Sequence, residues 1–117
     1  LNYSGFNLLV GDFGTNEAGL FYFSNRGEKP KKLPNGIYGL SNHLLDTAWH
    51  KVERTKNKFT EILQSTVEVS PAELLTILAD RRAAPDEKLP NTGVELERER
   101  ILSPAFIETT GYGTRSS

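Results

Sequence analysis

The sequence predicts an α+β fold in which a β-hairpin is followed by about three helices. Two contrasting blocks of sequence predict it. Residues 1–45 are rich in glycine, asparagine and aromatic side chains, whereas residues 46–108 are charged and carry helical spacing and capping signals. The length of 117 residues suits a single domain over 1–117. We therefore expect strands in 1–45, helices in 46–108 and a returning segment in 109–117.

Two short apolar runs predict the strands of the hairpin. Residues 6–10 and 20–24 combine aliphatic and aromatic side chains, and the glycines and asparagine between them favour a turn. Both runs are apolar on successive residues, so we expect both faces of the sheet to be covered. A turn signal at 33–36 precedes residues 37–40, which we predict to be a brief third strand.

The first helix is predicted from apolar side chains that recur on one helical face. Those side chains are Trp49, Val52, Phe59, Ile62 and Leu63. Asp46 is the expected N-cap of this helix. Basic residues such as Lys51 and Arg54 lie largely off the apolar face. A solvated helix surface and a loop explain most of the basic residues in 1–60, and attraction of an anion is the alternative.

Capping signals predict the second and third helices. Residues 70–73 read Ser-Pro-Ala-Glu, which places an N-cap, a proline at N1 and a glutamate at N3 in the order of a capping box. This helix is expected to end near 80–83. Residues 92–95 repeat the Ser/Thr-x-x-Glu pattern and predict a third helix running to about Leu102, with Pro104 favouring a stop there.

Composition excludes several classes of function. The net charge of −1 gives poor support for nucleic-acid binding, and no apolar run approaches the roughly 18 residues of a spanning helix. We expect a cytoplasmic protein with no nucleic-acid partner and no membrane span. The chain has no cysteine, so it holds no disulfide, thiolate metal site or cysteine nucleophile. It also opens at Leu1 and contains no methionine, which indicates a piece of a longer protein.

Two polar clusters at the ends of predicted strands are candidates for a binding site. In the first, Arg26 beside Asn25 can present a donor fork to a carboxylate or phosphate; the alternative is a turn in which Arg26 pairs with a surface acid. In the second, Ser41, Asn42 and His43 are the residue types of a nucleophile, an oxyanion donor and a base. The alternative is a strand-to-helix connection whose side chains satisfy backbone groups.

The two histidines of the chain, His43 and His50, have no carboxylates at metal-ligand spacing. We therefore predict no metal site. The returning segment is small and polar, and Arg115 joins the candidate residues if that segment enters a sheet strand. The alternative for the same residues is a disordered tail.

Several stretches together resemble a known family. The stretches are residues 5–12, 24–28, 36–47, 89–94 and 112–117. Their identity and order resemble the transport and Golgi organisation protein 2 family, also called the NRDE family after a motif near its N-terminus. Its most specific parts here are Tyr-Gly-Leu-Ser-Asn at 38–42 and Tyr-Gly-Thr-Arg-Ser-Ser at 112–117. The resemblance implies an αββα sandwich similar to that of the N-terminal nucleophile hydrolases, of which this chain is the C-terminal part.

The resemblance also implies what lies outside the chain. Family members usually carry a cysteine directly after the initiating methionine, followed by an Asn-Arg-Asp-Glu motif; residues 25–28 only echo that motif. The missing N-terminal part is the expected partner of this chain. We assign no catalytic residue and no cofactor to the chain itself and expect it to be catalytically silent.

The family's biochemical role is unsettled, and three hypotheses follow for the longer protein. The first is a ligand-handling or interaction protein for haem or for an acyl or lipid molecule. The second is an amide or ester hydrolase whose cysteine lies upstream, and the third is a purely structural half-domain. The candidate cleft residues under the first two are Asn25, Arg26, Ser41, Asn42, His43 and Arg115.

Overall fold

A computed structural model describes residues 4–14, 18–27, 29–65 and 68–114. The described residues form a three-stranded antiparallel sheet in the order β1-β2-β3, followed by three α-helices and a short 3-10 turn at Asp86–Lys88. This arrangement confirms the predicted α+β class. The elements are β1 Asn7–Asp12, β2 Gly19–Ser24, β3 Lys31–Leu33, α1 His50–Ser65, α2 Pro71–Leu78 and α3 Leu96–Leu102.

The hairpin has one partly covered face and one open face. The register pairs Leu9 with Tyr22, and alternation along the strands then divides the side chains between two faces. The inner face consists of Leu9, Leu20, Tyr22, Ser24 and Leu33. The outer face consists of Leu8, Val10, Phe21 and Phe23, extended by Phe6, whose ring lies 5.8 Å from that of Phe23.

Burial is strongest on the β2 and β3 side of the inner face. Tyr22 and Ser24 are only 6% and 3% exposed there, although Leu9 on the same face is 45% exposed. On the outer face Leu8 and Val10 are 47% and 48% exposed and no residue is buried. The expectation that both faces are covered is therefore not met by the described part of the chain. An apolar sheet face of this kind is typical of a surface that packs against further structure.

The third strand is not the one that the sequence predicts. Residues 37–40 form no strand; instead Lys31–Leu33 pairs with β2, placing Leu33 opposite Leu20. Burial of one apolar residue, Leu33, fixes this pairing, although the two lysines before it give no strand-like alternation. Residues 37–40 leave the sheet and pack against α1, where a Cβ atom added to Gly39 would lie 2.5 Å from Val52 Cγ1.

Asp46 is not the N-cap of α1, which begins four residues later. The first helical bond is donated by Glu53 N to Trp49 O over 3.0 Å. Asp46 takes a left-handed backbone conformation with φ of 56°, and its Oδ1 accepts bonds of 2.8 Å from both Gly39 N and Lys56 Nζ. Because the Asp46 carboxylate bonds to Gly39 N and Lys56 Nζ, it is not available to cap α1.

The start of α2 confirms the predicted capping box. Ser70 Oγ accepts a bond from Ala72 N, and Glu73 Oε2 accepts a bond of 3.2 Å from Ser70 N. These bonds satisfy amides that the first helical turn would otherwise leave unpaired. The helix ends at Leu78, slightly before the predicted 80–83, because the Asp80 side chain bonds to basic side chains, as described below.

The second predicted capping box, at residues 92–95, is wrong. Helix α3 begins at Leu96 with Glu95 as its N-cap, and Glu95 makes no capping bond through its side chain. Thr92 instead donates from both its N and its Oγ1 to Glu99 Oε1, over 2.8 and 2.6 Å. The predicted end at Leu102 is confirmed.

The core is thin for a chain of this length. Among the described residues no large side chain is fully buried, and the buried apolar residues are Tyr22, Leu33, Val52, Ile77, Ala84 and Ile107. The radius of gyration is 16.1 Å, against about 13 Å for a compact domain of this size. The accessible surface is 8834 Å², against about 6,300 Å² for a monomer of this mass. The roughly 2,500 Å² of excess surface exceeds one side of a standard interface.

Candidate functional site

The candidate residues Asn25 and Arg26 lie in the turn that ends β2. Asn25 Oδ1 accepts a bond of 2.8 Å from Phe6 N, and Asn25 Nδ2 donates to Ser4 O over 3.1 Å. The Asn25 amide is therefore occupied by backbone groups. Arg26 is exposed, and its aliphatic stem packs over Gly5. Glu28, the nearest acid for a turn pairing, lies outside the described residues.

Hydrogen bonds join this end of the hairpin to the second polar cluster. Tyr22 OH donates to Asn7 Oδ1 over 2.7 Å and accepts from Leu45 N over 3.0 Å. Asn7 Nδ2 in turn donates to His43 O over 3.0 Å. The buried phenol thus connects the hairpin to the segment before α1, and the two predicted clusters lie at the same end of the hairpin.

Ser41 and His43 do not form a nucleophile–base pair. Ser41 Oγ donates to Asn42 Oδ1 over 2.9 Å, and His43 Nδ1 lies 2.8 Å from Thr47 Oγ1. Thr47 Oγ1 donates its own proton to Leu44 O over 2.7 Å, so the bond to His43 requires a proton on Nδ1. The His43 ring is held by this bond and by packing on Trp49, with ring centroids 5.3 Å apart.

A buried lysine at the start of α1 lies next to this second cluster. Lys51 is 8% exposed; its Nζ donates to Leu102 O over 2.9 Å and to Asn42 Oδ1 over 3.4 Å, and lies 5.4 Å from the centre of the Trp49 ring. The prediction that Lys51 is solvated is wrong, because the end of α3 packs over it. Burial lowers the pKa of the Lys51 ammonium.

The charge of Lys51 is not neutralised by an acid in the described part of the chain. None of the ion pairs formed there includes it. Its partners are a backbone carbonyl, a side-chain amide oxygen and an aromatic face, all formally neutral. Sequence reasoning missed this residue because a lysine in a basic, helical stretch is usually exposed.

The first of two cavities lined by Lys51 lies between residues 37–41, α1 and α2, and we call it the apolar cleft. Its volume is about 310 Å³. The lining is mainly aliphatic and aromatic, contributed by Ile37, Leu40, Val52, Phe59, Ile77 and Leu78. Polar groups come from Ser41, Thr55 and Lys56. Ser41 is the one residue among the sequence-predicted candidates that lines this cleft, and Arg115 lies outside the described residues.

The second cavity is smaller, and we call it the lysine cavity. It has a volume of about 60 Å³ and is lined by the candidate Asn42 together with Trp49, Lys51, Glu99 and Leu102, among others. Glu99 is only 5% exposed and accepts both Thr92 bonds on Oε1. No signal in the sequence separates Glu99 from Glu97, which is two residues earlier in the same helix and is exposed.

Neither cavity combines a histidine with a volume large enough for a haem group. The apolar cleft contains no histidine among its described lining residues, and the lysine cavity, which contains His50, is far too small for the macrocycle. His43 lines neither cavity.

In the described part of the chain, no three acidic or histidine side chains lie together as metal ligands. None of the described helices is long and apolar enough to cross a membrane.

Asp80 is surrounded by basic side chains at the end of α2. Its side chain is 7% exposed and accepts bonds from Arg82 N, Nε and Nη2 over 2.7 to 3.0 Å. Lys58 Nζ and Arg54 Nη2, both from α1, approach it to 3.3 Å. The Arg82 bonds, supported by Lys58 and Arg54, hold the pKa of the Asp80 carboxyl far below its usual range. Phe106 N also donates to Asp80 O over 2.8 Å.

The close packing of Gly39 on α1 yields a testable prediction about the wall of the apolar cleft. Replacing Gly39 with alanine is expected to lower the free energy of unfolding by about 2 kcal/mol, because the new methyl group would overlap Val52 Cγ1. Urea unfolding measures the change. Gly36→Ala is the control, since its Cβ would make only ordinary contacts of 3.4 Å with the Tyr38 ring.

A double variant tests the cause of this loss. In Gly39→Ala/Val52→Ala the overlapping Cγ1 is gone, so the two substitutions should cost less together than the sum of their separate effects. Strict additivity would contradict steric overlap as the cause.

Comparisons with known proteins place the chain in a family. The sequence profile described as "Transport and Golgi organisation 2" matches residues 1–117. The chain is 32% identical over 124 residues to the mouse transport and Golgi organization 2 homolog and to its human counterpart, and 33% identical over 128 residues to the bovine one. Each match covers 98% of this chain and 45% of the relative, so the chain spans about half the length of these relatives. The chain belongs to the transport and Golgi organisation 2 family.

Proposed function

We propose that the protein to which this chain belongs binds a small molecule with an apolar body, such as an acyl chain, in the apolar cleft. The observation that carries the proposal is a cavity of about 310 Å³ whose lining is mostly aliphatic and aromatic, with a few hydroxyl and amino groups. Ligand pockets of roughly 300–1,000 Å³ typically combine an apolar lining with few polar groups that orient the ligand.

The polar candidates have distinct roles in this proposal. Ser41 lies in the lining and would orient the head of the ligand, while Asn42 fixes Ser41 through their hydrogen bond. His43 holds the segment through Thr47 and Trp49. Arg26, exposed beside Asn25 at the end of the hairpin, stays a candidate for attracting an anionic head group, as does Arg115, which lies outside the described residues.

Blocking the cleft tests this proposal. Thr55 lines the cleft from α1, and Thr55→Phe would fill it, whereas Thr55→Val keeps the shape of the side chain. We expect the full-length protein to bind a fluorescent medium-chain fatty acid and Thr55→Phe to weaken that binding at least about tenfold, with Thr55→Val close to wild type. Unchanged binding in Thr55→Phe would contradict the proposal. A saturable Soret shift on haem addition, with no fatty-acid binding, would favour a haem ligand instead.

We further propose that this chain is one part of an αββα sandwich completed by the rest of the polypeptide. The open outer face of the hairpin, the roughly 2,500 Å² of excess surface and the 45% coverage of the relatives support it. Under this proposal the chain contributes one wall of the ligand cleft and much of its structural support.

The hydrolase hypothesis stays a prediction. It is tested by replacing the upstream cysteine with alanine and assaying an amide and ester panel, where unchanged turnover would contradict it.

A further inference from the structure

We propose that the lysine cavity binds a small zwitterion, the ammonium–carboxylate group of an amino acid, with the carboxylate at Lys51 and the ammonium at Glu99. This site adjoins the apolar cleft, with which it shares Lys51. It is argued from three observations in the described residues: a buried cation with no acid partner, a glutamate that is 5% exposed and has one accessible oxygen without a hydrogen bond, and a small cavity that both side chains line.

No acid of the described residues pairs with the cationic end of the cavity. An ammonium group has three donors, and Lys51 uses two of them on Leu102 O and Asn42 Oδ1, the second over a long 3.4 Å. A charge removed from water is stabilised far better by an opposite charge than by neutral oxygens. A ligand carboxylate would supply that charge, and it would also oppose the effect of burial on the pKa of Lys51.

At the acidic end, one oxygen receives no hydrogen bond from the described residues. Glu99 Oε1 accepts the two Thr92 bonds, whereas Oε2 has no hydrogen-bond partner among the described residues. His50 and Lys88 also line the cavity, yet neither forms an ion pair with Glu99. No buried side-chain oxygen among the described residues lacks a hydrogen-bond partner, so Oε2 keeps some accessible surface, where a ligand N–H group or a water molecule can bind it.

The size and walls of the cavity limit the ligand. A volume of about 60 Å³ holds only a few heavy atoms, and Trp49, Ala84, Pro90 and Leu102 form apolar walls. Glycine and alanine are of the right size. Acetate would leave Glu99 Oε2 without a donor and methylammonium would leave Lys51 without an anion, so the cavity should prefer the zwitterion to either half. Ordered water is the alternative occupant.

The preference among three small ligands tests the proposal in the full-length protein. Calorimetry or ligand-observed NMR should show glycine binding at least about tenfold more tightly than acetate or methylammonium, as expected for one charge-assisted hydrogen bond. Equal or weaker binding of glycine would overturn the proposal. So would the absence of saturation by about 10 mM glycine, which would leave ordered water as the occupant.

A matched pair of variants identifies the residue responsible. Glu99→Gln keeps an acceptor for Thr92 but presents an amide donor in place of Oε2, so glycine affinity should fall at least about tenfold while acetate affinity is unchanged or improved. Glu97→Gln is the control, because its side chain is 72% exposed on the same helix, and it should bind as wild type. Equal loss of glycine binding in both variants would overturn the assignment. If Glu99→Gln does not fold, the three-ligand comparison in the wild type still decides the question.

The two binding proposals fail independently. Thr55 lines the apolar cleft alone, whereas Lys51 lines both cavities, so Thr55→Phe should weaken fatty-acid binding far more than glycine binding. Glu99 lines only the lysine cavity, so Glu99→Gln should leave fatty-acid binding intact. Loss of fatty-acid binding with retained glycine binding would separate the two sites.

Discussion

Replacing Asp80 with alanine is expected to lower the free energy of unfolding by about 3 kcal/mol. The carboxylate is buried and bonded by Arg82, Lys58 and Arg54, so its removal leaves three cations close together with no acid between them. The backbone of the same residue receives Phe106 N, which ties the segment after α3 to the end of α2. Urea unfolding at neutral pH measures the loss.

An exposed ion pair provides the control for this variant. Asp86 pairs with Arg100 at a side-chain exposure of 55% and 41%, and solvent screening leaves exposed pairs of this kind with little effect on stability. Asp86→Ala should therefore be nearly neutral. Equal destabilisation by the two variants would show that burial of Asp80 adds nothing to its effect.

The pH dependence of the Asp80 variant follows from the same bonds. The pKa of Asp80 is lowered in the folded state by Arg82, Lys58 and Arg54, relative to about 3.9 in an unfolded chain. The group therefore stabilises the fold fully above about pH 4 and loses that contribution as the pH falls toward its lowered pKa. The difference in stability between wild type and Asp80→Ala should shrink below about pH 4, and a difference that grows there would contradict this account.

Replacing Val10 with aspartate should destabilise the 117-residue chain much less than the full-length protein. Val10 is 48% exposed on the outer face of the hairpin, so in the 117-residue chain the change should cost only about 1 kcal/mol, the range of strand propensity. In the full-length protein the proposed sandwich covers this face. The same change would then bury a charge and remove apolar contact, with a loss of about 3 kcal/mol or more.

Val10→Thr is the control for this comparison, and the free energy of unfolding is measured separately for the 117-residue chain and the full-length protein. Val10→Thr has nearly the same shape and no charge, so it should destabilise the full-length protein by less than Val10→Asp. Thermal and urea melts of each form measure both variants. Equal tolerance of the aspartate in the full-length protein would show that the outer face stays in solvent there, against the sandwich proposal.

Local patterns in the sequence were sufficient for the elements whose stabilising contacts are themselves local. The capping box at 70–73 is formed within one turn of helix, and the hairpin follows from two apolar runs and the turn chemistry between them. The third strand was missed because its pairing depends on the burial of Leu33 alone. Thr92 was misassigned because its real acceptor, Glu99, lies in the body of α3 and competes with the local cap.

The candidate site could be predicted only in part from the sequence, because some of its contacts join residues that are distant along the chain. Ser41 lines the apolar cleft and Asn42 the lysine cavity, as residues at a strand-to-helix connection often line pockets. Lys51 gave no signal, because the carbonyl that holds it belongs to Leu102, 51 residues further along the chain. Glu97 and Glu99 differ only in which side of α3 they occupy, and the packing of that helix, not the residue type, makes one of them buried.

The Tyr22 hydroxyl has a consequence for the order in which the molecule opens. Together with the Asn7 amide it fastens the hairpin to the segment before α1 through a few polar bonds. A sheet held this way can open as a unit when those bonds break. Amide hydrogens in β1 and β2 should therefore exchange with solvent together, and the rest of the protein would set the lifetime of the closed hairpin.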